Sequence, residues 1–129
     1  MAIRIVRLGS ARAPKEGLRL GTVRRPPRGV RKADYAKRDF YDVWLPELAP
    51  SQNWVRWALS QPWTDARWKK YARNYRREMK APAADRLLGL LAALSGGASF
   101  SVGCYCEDEE RCHRSILREL LAEHGARLD

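Results

Sequence analysis

Alternation of apolar and polar residues predicts three β-strands in this chain. Apolar side chains recur at every second position over Ile3–Leu8, Leu18–Val23 and Ala98–Tyr105, which is the period of a strand. In the third stretch the intervening positions hold only serine or glycine up to residue 103, so the second face of that strand must lie against other atoms. The segment Arg24–Lys32 contains Pro26-Pro27 and is a stiff basic loop, because proline removes backbone donors and restricts the preceding residue.

A second period, of three to four residues, predicts helices. The clearest covers residues 64–80 and combines one continuous apolar stripe with a basic opposite face. The stripe consists of Trp68, Tyr71, Ala72, Tyr75 and Met79, and the basic face of Lys69, Lys70, Arg73, Arg76, Arg77 and Lys80.

Three further helices are predicted from their boundary residues. One begins after Ser51, a residue type favoured at helix N-caps, and continues through Leu59. Another opens at Pro82 and ends at Gly96-Gly97, and the last runs from about Glu110 to His124. The side chains that we expect to be buried are Leu87, Leu88, Leu91 and Leu94 in the former, and Ile116, Leu117, Leu120 and Leu121 in the latter.

Strands that alternate with helices predict an α/β fold with a small, mostly parallel sheet flanked by helices. A chain of 129 residues is most simply one compact domain, residues 1–129, and can bury enough surface to need no disulfides. The longest apolar stretch is far shorter than the ~20 residues that cross a bilayer, and the N-terminus lacks a signal-peptide pattern. We therefore expect a cytoplasmic protein without membrane contact.

The charge of the chain is positive and unevenly distributed. Lys and Arg number 25 against 15 Asp and Glu, for a formal net charge of +10. Residues 1–80 hold 20 basic and 7 acidic side chains, whereas residues 81–129 hold 5 and 8. This excess favours an anionic partner, but Arg outnumbers Lys 19 to 6, so compositional bias is an open alternative.

All three cysteines, Cys104, Cys106 and Cys112, lie within nine residues, and His113 follows them directly. An odd number of cysteines argues against a closed disulfide framework. Zinc bound by these four side chains is one interpretation, but their spacing differs from that of structural zinc sites, and we assign no metal ligands.

Thiol catalysis is a second interpretation, with Cys112 or Cys106 as the nucleophile, because a cysteine near a helix N-terminus has a lowered pKa. Cys106 and Arg111 also have the Cys-x4-Arg spacing of sulfur- or phosphate-handling loops, although the four acids Glu107–Glu110 between them would repel an anion. We expect these acids to form a solvated start of the last helix. Ordinary burial is a third interpretation, and we expect it for Cys104.

Several segments, taken in order, resemble a known protein family. They are Arg28-Gly29-Val30, the run Trp44–Ser51, the aromatic and basic helix up to Met79, and the Cys-x-Cys pair followed by Cys112-His113-Arg114. Together they closely resemble the YeaO-like branch of the domain-of-unknown-function family 488 (DUF488), and the resemblance covers nearly the whole chain. It implies a compact bacterial-type α/β domain whose activity is unassigned.

Ligand sites in open α/β sheets form beyond the carboxyl ends of the strands. The loops after the second and third predicted strands both lie at such ends, so we expect them to line one cleft for a phosphate-bearing or nucleotide-like ligand. Its candidate ligand-binding residues are Arg25, Arg28, Arg114 and Ser115, and its candidate catalytic residues are Cys106, Cys112 and His113. Arginines would clamp the anion and His113 would act as acid or base. The sequence leaves open whether the protein is an enzyme, which cofactor it uses and how it assembles.

The alternative is a non-catalytic nucleic-acid-binding protein that uses the basic face of the helix over residues 64–80. Four tryptophans, Trp54, Trp57, Trp63 and Trp68, alternate with this positive charge and would stack on bases.

Overall fold

Four parallel strands form the centre of the computed structural model, which describes the chain from Met1 to Asp129. They are β1 (Ile3–Arg7), β2 (Leu18–Gly21), β3 (Val43–Trp44) and β4 (Phe100–Cys104), arranged in the order β1-β4-β2-β3. Every neighbouring pair is parallel. The prediction of an α/β fold with a small parallel sheet is confirmed, and the short strand β3 extends the sheet beyond the three predicted strands.

The helices are α1 (Gln52–Leu59), α2 (Asp65–Glu78), α3 (Pro82–Leu94) and α4 (His113–Glu123). The hydroxyl of Thr64 caps α2 by accepting a hydrogen bond from the Arg67 N–H, and Pro82 occupies the first turn of α3, where its missing N–H costs nothing. Gly125 follows α4 with a φ of 90°, a left-handed conformation that glycine adopts without strain. None of the helices is long and apolar enough to cross a membrane.

One face of the sheet carries the main hydrophobic core. Ile3, Leu20, Phe100 and Val102 pack there in one cluster with buried side chains of α2, α3 and α4. The predicted stripe of α2 is confirmed, with Tyr71, Tyr75 and Met79 buried and Trp68 and Ala72 partly buried, and so is the ridge of Ile116, Leu117, Leu120 and Leu121. Leu94 was expected inside but is 47% exposed, because it is the last residue of α3 and lies outside this cluster.

The opposite face of the sheet holds a buried ion pair. The guanidinium of Arg19 donates to both carboxylate oxygens of Glu16 at 2.8 and 3.0 Å, and the hydroxyl of Ser101 donates to the same carboxylate at 2.7 Å. Gly21 on this face lies against the ring of Tyr41. The small side chains of β4 and β2 therefore leave room for neighbouring atoms, as the alternation in β4 predicts.

Helix α4 begins at His113, three residues later than expected. Cys112 has extended backbone angles, with φ −135° and ψ 152°, which end the preceding loop and prevent a helical turn there. The acids Glu107–Glu110 consequently lie in the loop, and the expectation that they start the helix is wrong. Two of them pair with arginines outside the loop, Glu107 with Arg7 and Glu109 with Arg118.

Candidate functional site

A cavity of about 240 Å³ opens at the carboxyl ends of β2 and β4. Its lining joins three parts of the chain that are distant in sequence: the basic loop after β2, helix α1 together with Trp63 and Tyr71, and the cysteine loop. The lining includes Arg24, Arg25, Val55, Leu59, Trp63, Tyr71, Cys104, Cys106, Arg111, Cys112 and His113. The volume is near the lower limit of ligand sites, which are about 300 to 1,000 Å³.

The three thiols form one cluster in the lining of this cavity. The sulfur atoms of Cys104, Cys106 and Cys112 all lie within 4.8 Å of one another, and those of Cys104 and Cys112 are 2.7 Å apart. Cys104 is the last residue of β4 and Cys106 follows two residues later, outside the strand. Cys104 and Cys112 are buried, whereas Cys106 is exposed.

His113 is buried between the thiol cluster and β2. Its Nε2 lies 2.7 Å from the carbonyl oxygen of Thr22, and a carbonyl only accepts, so Nε2 carries the proton. The other nitrogen, Nδ1, is then an acceptor and lies 3.7 Å from the Cys112 sulfur. Burial lowers the pKa of His113 to about 4, which keeps the imidazole neutral at physiological pH.

The environments of the three thiols separate their pKa values. Hydrogen bonding with Cys104 and Cys112 lowers the pKa of Cys106, while hydrogen bonding with Cys106 and Cys112, together with burial, raises that of Cys104. Hydrogen bonding with Cys104 acts to lower the pKa of Cys112, but the contact with Cys106 and burial outweigh it and raise that pKa. The exposed thiol is thus the one that ionises first, with two protonated thiols beside it.

Three clustered sulfurs are also a donor set that suits a soft metal ion such as zinc. The imidazole of His113 is not part of that set, because only the three sulfur atoms lie within 4.8 Å of one another. A metal at the three sulfurs would take its remaining ligand from the cavity. The sequence-based zinc interpretation therefore retains three of its four ligands.

The opposite wall of the cavity is apolar and aromatic. Trp63 and Tyr71 meet with ring centroids 5.3 Å apart, and Val55 and Leu59 of α1 extend this wall. Leu59 is 82% exposed, so the wall continues to the surface. A flat apolar group entering the cavity would lie against these side chains.

Arginines flank the cavity at three places. Arg24 is committed to the fold, because its guanidinium donates to the carbonyls of Ala49 and Pro50. Arg25 has an exposed side chain, and its carbonyl accepts a hydrogen bond from the Tyr105 hydroxyl at 2.9 Å. This bond ties the basic loop to the residue between Cys104 and Cys106. Arg111 donates one Nη to Asp65 at 2.9 Å, and its other Nη is buried without a partner.

The remaining predicted site residues lie outside the cavity lining. Arg28 is exposed further along the basic loop, and Arg114 is buried and donates to the carbonyl of Cys106 at 2.6 Å. The hydroxyl of Ser115 donates to the carbonyl of Cys112 at 3.0 Å. Arg114 and Ser115 therefore hold the cysteine loop in place, while Arg25, Cys106, Cys112 and His113 line the cavity together.

A family model described as "Active DUF488-N3 subclade" matches residues 3–125. The chain belongs to the DUF488 family. No curated protein and no solved structure matches it. Membership of the DUF488 family, which the sequence motifs indicate, is thus confirmed. Membership of the YeaO-like branch of that family stays a prediction.

Sequence reasoning about this DUF488 protein missed part of its cavity. The sequence indicated base stacking for Trp63 and a core position for Tyr71, and it indicated no role for Val55 and Leu59 of α1. Helical periodicity does not distinguish a core from the wall of a cavity. Arg111 did carry a signal in its Cys-x4-Arg spacing, which was discounted because of the intervening acids. None of the acids Glu107–Glu110 lines the cavity, and Glu107 and Glu109 are paired with arginines, so the expected repulsion of an anion is weaker in the folded chain.

The basic face of α2 lies away from the thiol cavity and forms a shallow groove of its own. It is lined by Trp68, Lys69, Ala72, Arg73, Arg76, Arg77 and Lys80. Arg76 pairs with Glu119 and Glu123 of α4, whereas the other basic residues of the groove form no ion pair. The tryptophans do not stand free beside this groove, because Trp54, Trp57, Trp63 and Trp68 pack edge to face in a chain.

Proposed function

We propose that the cavity binds a small phosphate-bearing or nucleotide-like ligand. The observation that supports this proposal is that three arginines and an aromatic wall line the same cavity, at the carboxyl ends of β2 and β4. Of these arginines, only Arg24 is held by backbone carbonyls. Arg25 and the unpartnered Nη of Arg111 would hold the anionic group, and Trp63 with Tyr71 would contact the flat apolar part. The description of the matching family model calls its subclade active, which fits a site that acts on its ligand.

Binding by the reduced protein tests this proposal. Calorimetric titration with AMP, adenosine and inorganic phosphate separates the contributions of base and phosphate. We expect AMP to bind more tightly than either fragment, and Arg25→Ala to weaken AMP about 10- to 100-fold, since one charge-assisted hydrogen bond contributes about 1.5 to 3 kcal/mol.

Arg28→Ala is the matched control, because it removes the same charge from the same loop but from outside the cavity. It should change AMP affinity less than about twofold at moderate salt, where distant exposed charges are screened. Equal weakening by the two substitutions would show a general charge effect rather than a site at the cavity. Absence of any AMP binding would contradict the proposal outright.

The second candidate function is nucleic-acid binding through the groove of α2, and the unpaired basic side chains there favour it. Measuring duplex DNA affinity against salt concentration tests it, since each phosphate contact adds about 0.9 to the slope of log K against log[salt]. The double variant Arg73→Glu/Arg77→Glu should lower that slope by roughly two. Lys37→Glu/Arg86→Glu makes the same change in net charge on exposed residues elsewhere and should leave the slope nearly unchanged.

A further inference from the structure

The three thiols differ in exposure while their sulfur atoms remain within reach of one another. Cys106 is exposed, Cys104 and Cys112 are buried, and all three sulfurs lie within 4.8 Å. We propose that the protein performs thiol–disulfide exchange with small disulfides, in which Cys106 attacks the substrate and Cys112 resolves the mixed disulfide. This activity does not depend on nucleotide binding, because it requires only the thiols and an open cavity.

The exchange consists of two displacement steps. The Cys106 thiolate attacks one sulfur of a disulfide RSSR, a Cys106–S–S–R bond forms, and one RS⁻ leaves. Cys112 then gives up its proton, its sulfur attacks the Cys106 sulfur, and the second RS⁻ leaves. Two protein thiols are oxidised to a Cys106–Cys112 disulfide, RSSR is reduced to two thiols, and an excess of small thiol reverses both steps.

The position of His113 assigns the resolving role to Cys112 rather than to Cys104. The unprotonated Nδ1 of His113 lies 3.7 Å from the Cys112 sulfur, so it can accept the proton that this thiol must lose. No hydrogen bond joins Cys104 to a ring nitrogen, and its sulfur contacts Cys112 at 2.7 Å. Proximity of a base is what converts a buried thiol into a nucleophile.

The same histidine argues for a disulfide as the electrophile rather than a peroxide. An alkoxide leaving group needs a proton from an acid, but the only ring N–H of His113 is turned to the Thr22 carbonyl. A thiolate leaves without being protonated, since its conjugate acid is far more acidic. The acids of the cysteine loop do not line the cavity and supply no alternative proton donor.

The lining of the cavity indicates which disulfides fit. Trp63 and Tyr71 form an aromatic wall, and Arg25 and Arg111 carry positive charge at its edge. An aromatic disulfide with carboxylate groups matches both features. Dithiobis(nitrobenzoate) has this chemistry and releases a coloured thiolate at each step, so it is the probe for the test.

Reduced, chelator-treated protein is mixed with the probe, and both the released thiolate and the protein mass are followed. The wild-type chain should release two thiolates per chain in its fast phase and end with Cys106 joined to Cys112, without bound probe. Cys106→Ser should lose the fast phase. Cys112→Ser should release one thiolate and retain the probe on Cys106, whereas Cys104→Ser should still form the internal disulfide.

Three results would overturn the proposal. One is a stable mixed disulfide on Cys106 in the wild-type chain, which would mean that no thiol resolves it. Another is an internal disulfide in Cys112→Ser, which would assign the resolving role to Cys104. The third is a reaction at Cys106 no faster than that of the urea-unfolded chain at the same pH. Circular dichroism of each variant confirms that the fold is retained.

Discussion

At the scale of single residues, the least expected feature is the buried pair of Glu16 and Arg19. Their side chains are 2% and 0% exposed, and the second Nη of Arg19 satisfies the carbonyls of Ser10 and Asp39. Burial alone would raise the pKa of Glu16, but hydrogen bonds from Arg19, Ser101 and the Ala13 N–H lower it to about 2. Charged groups that are fully buried and fully paired stabilise a fold only while both partners are present.

The pair makes stability depend on pH in a definite direction. The pKa of Glu16 falls from 4.5 to about 2 on folding, so the unfolded chain binds the proton first as pH decreases. The stabilisation of about 3 kcal/mol is complete above pH 4.5 and lost as pH falls through 2. Glu16→Gln should lower the free energy of unfolding by about 3 to 5 kcal/mol at pH 7, and the gap to wild type should narrow in acid.

Urea unfolding across this pH range measures both effects. Glu47→Gln is the matched control, since Glu47 is exposed and forms no ion pair, and it should change stability by less than about 0.5 kcal/mol. Parallel pH profiles for wild type and Glu16→Gln would contradict the assignment.

At the scale of elements, sequence periodicity predicted the buried faces of helices, because these depend only on residues that are close together in the chain. The stripe of α2 and the ridge of α4 follow from side chains three and four residues apart, so both were predictable. The ion pair on the other face depends on Ser101, which is 85 residues from Glu16, and no local pattern reveals such a partner. The predicted start of α4 was wrong for a related reason. Acids favour a helix N-terminus, but the extended backbone of Cys112 keeps these acids in a loop, where Glu107 pairs with the distant Arg7 and Glu109 with Arg118 of α4.

The cavity shows again that a local pattern does not reveal contacts between residues that are far apart in sequence. Its thiols and His113 are adjacent in sequence and were predicted together, whereas Trp63, Tyr71 and the α1 residues join them only through tertiary packing. Arg28 and Arg114 were expected at the cleft because their loops follow the carboxyl ends of strands. The end of a strand determines where a loop lies, but it does not determine which side chains of that loop line the cavity.

Strands β1 and β4 lie so close together at Gly103 that one added methyl group at this position tests their packing. A Cβ on Gly103 would lie 2.5 Å from the carbonyl oxygen of Val6, its partner in the register. Gly103→Ala must therefore push the two strands apart, and we expect a loss of about 1 to 3 kcal/mol. The identical change at Gly89, in the interior of α3 with nothing within 4 Å of the new Cβ, should stabilise by up to about 1 kcal/mol.

In thermal denaturation, Gly103→Ala should have a lower Tm than the wild type and Gly89→Ala a higher one. A neutral Gly103→Ala would mean that the strands have more freedom at this position than their register implies.

At the scale of the whole molecule, ion pairs join the basic part of the chain, residues 1–80, to the acidic part, residues 81–129. Acids after residue 80 pair with arginines before it, as in Arg4–Asp129, Arg7–Glu107 and the pairs of Arg76 with Glu119 and Glu123. The negative part of the chain thus neutralises one side of the positive part. Apart from Arg76, the basic residues of the α2 groove form none of these pairs, and neither does Arg25 at the cavity. The positive charge that stays unpaired therefore lies on two different surfaces, one for each proposed binding function.

These contacts between the two parts of the chain can be tested with two adjacent arginines of α2. Arg76 joins α2 to α4 through two carboxylates, whereas Arg77 is exposed and forms no ion pair. Arg76→Ala and Arg77→Ala change helix propensity equally, so the difference between them reports the contacts that only Arg76 makes. Because the carboxylates are more than half exposed, we expect Arg76→Ala to cost only about 1 kcal/mol more in low salt.

Urea unfolding of both variants at low salt and at about 1 M NaCl, where the Debye length is roughly 3 Å, completes the test. The difference in unfolding free energy should shrink at high salt, because exposed charges are screened. A difference that persists unchanged would indicate that Arg76 stabilises the α2–α4 contact through packing of its aliphatic stem, and the charge asymmetry would then have no part in holding these helices together.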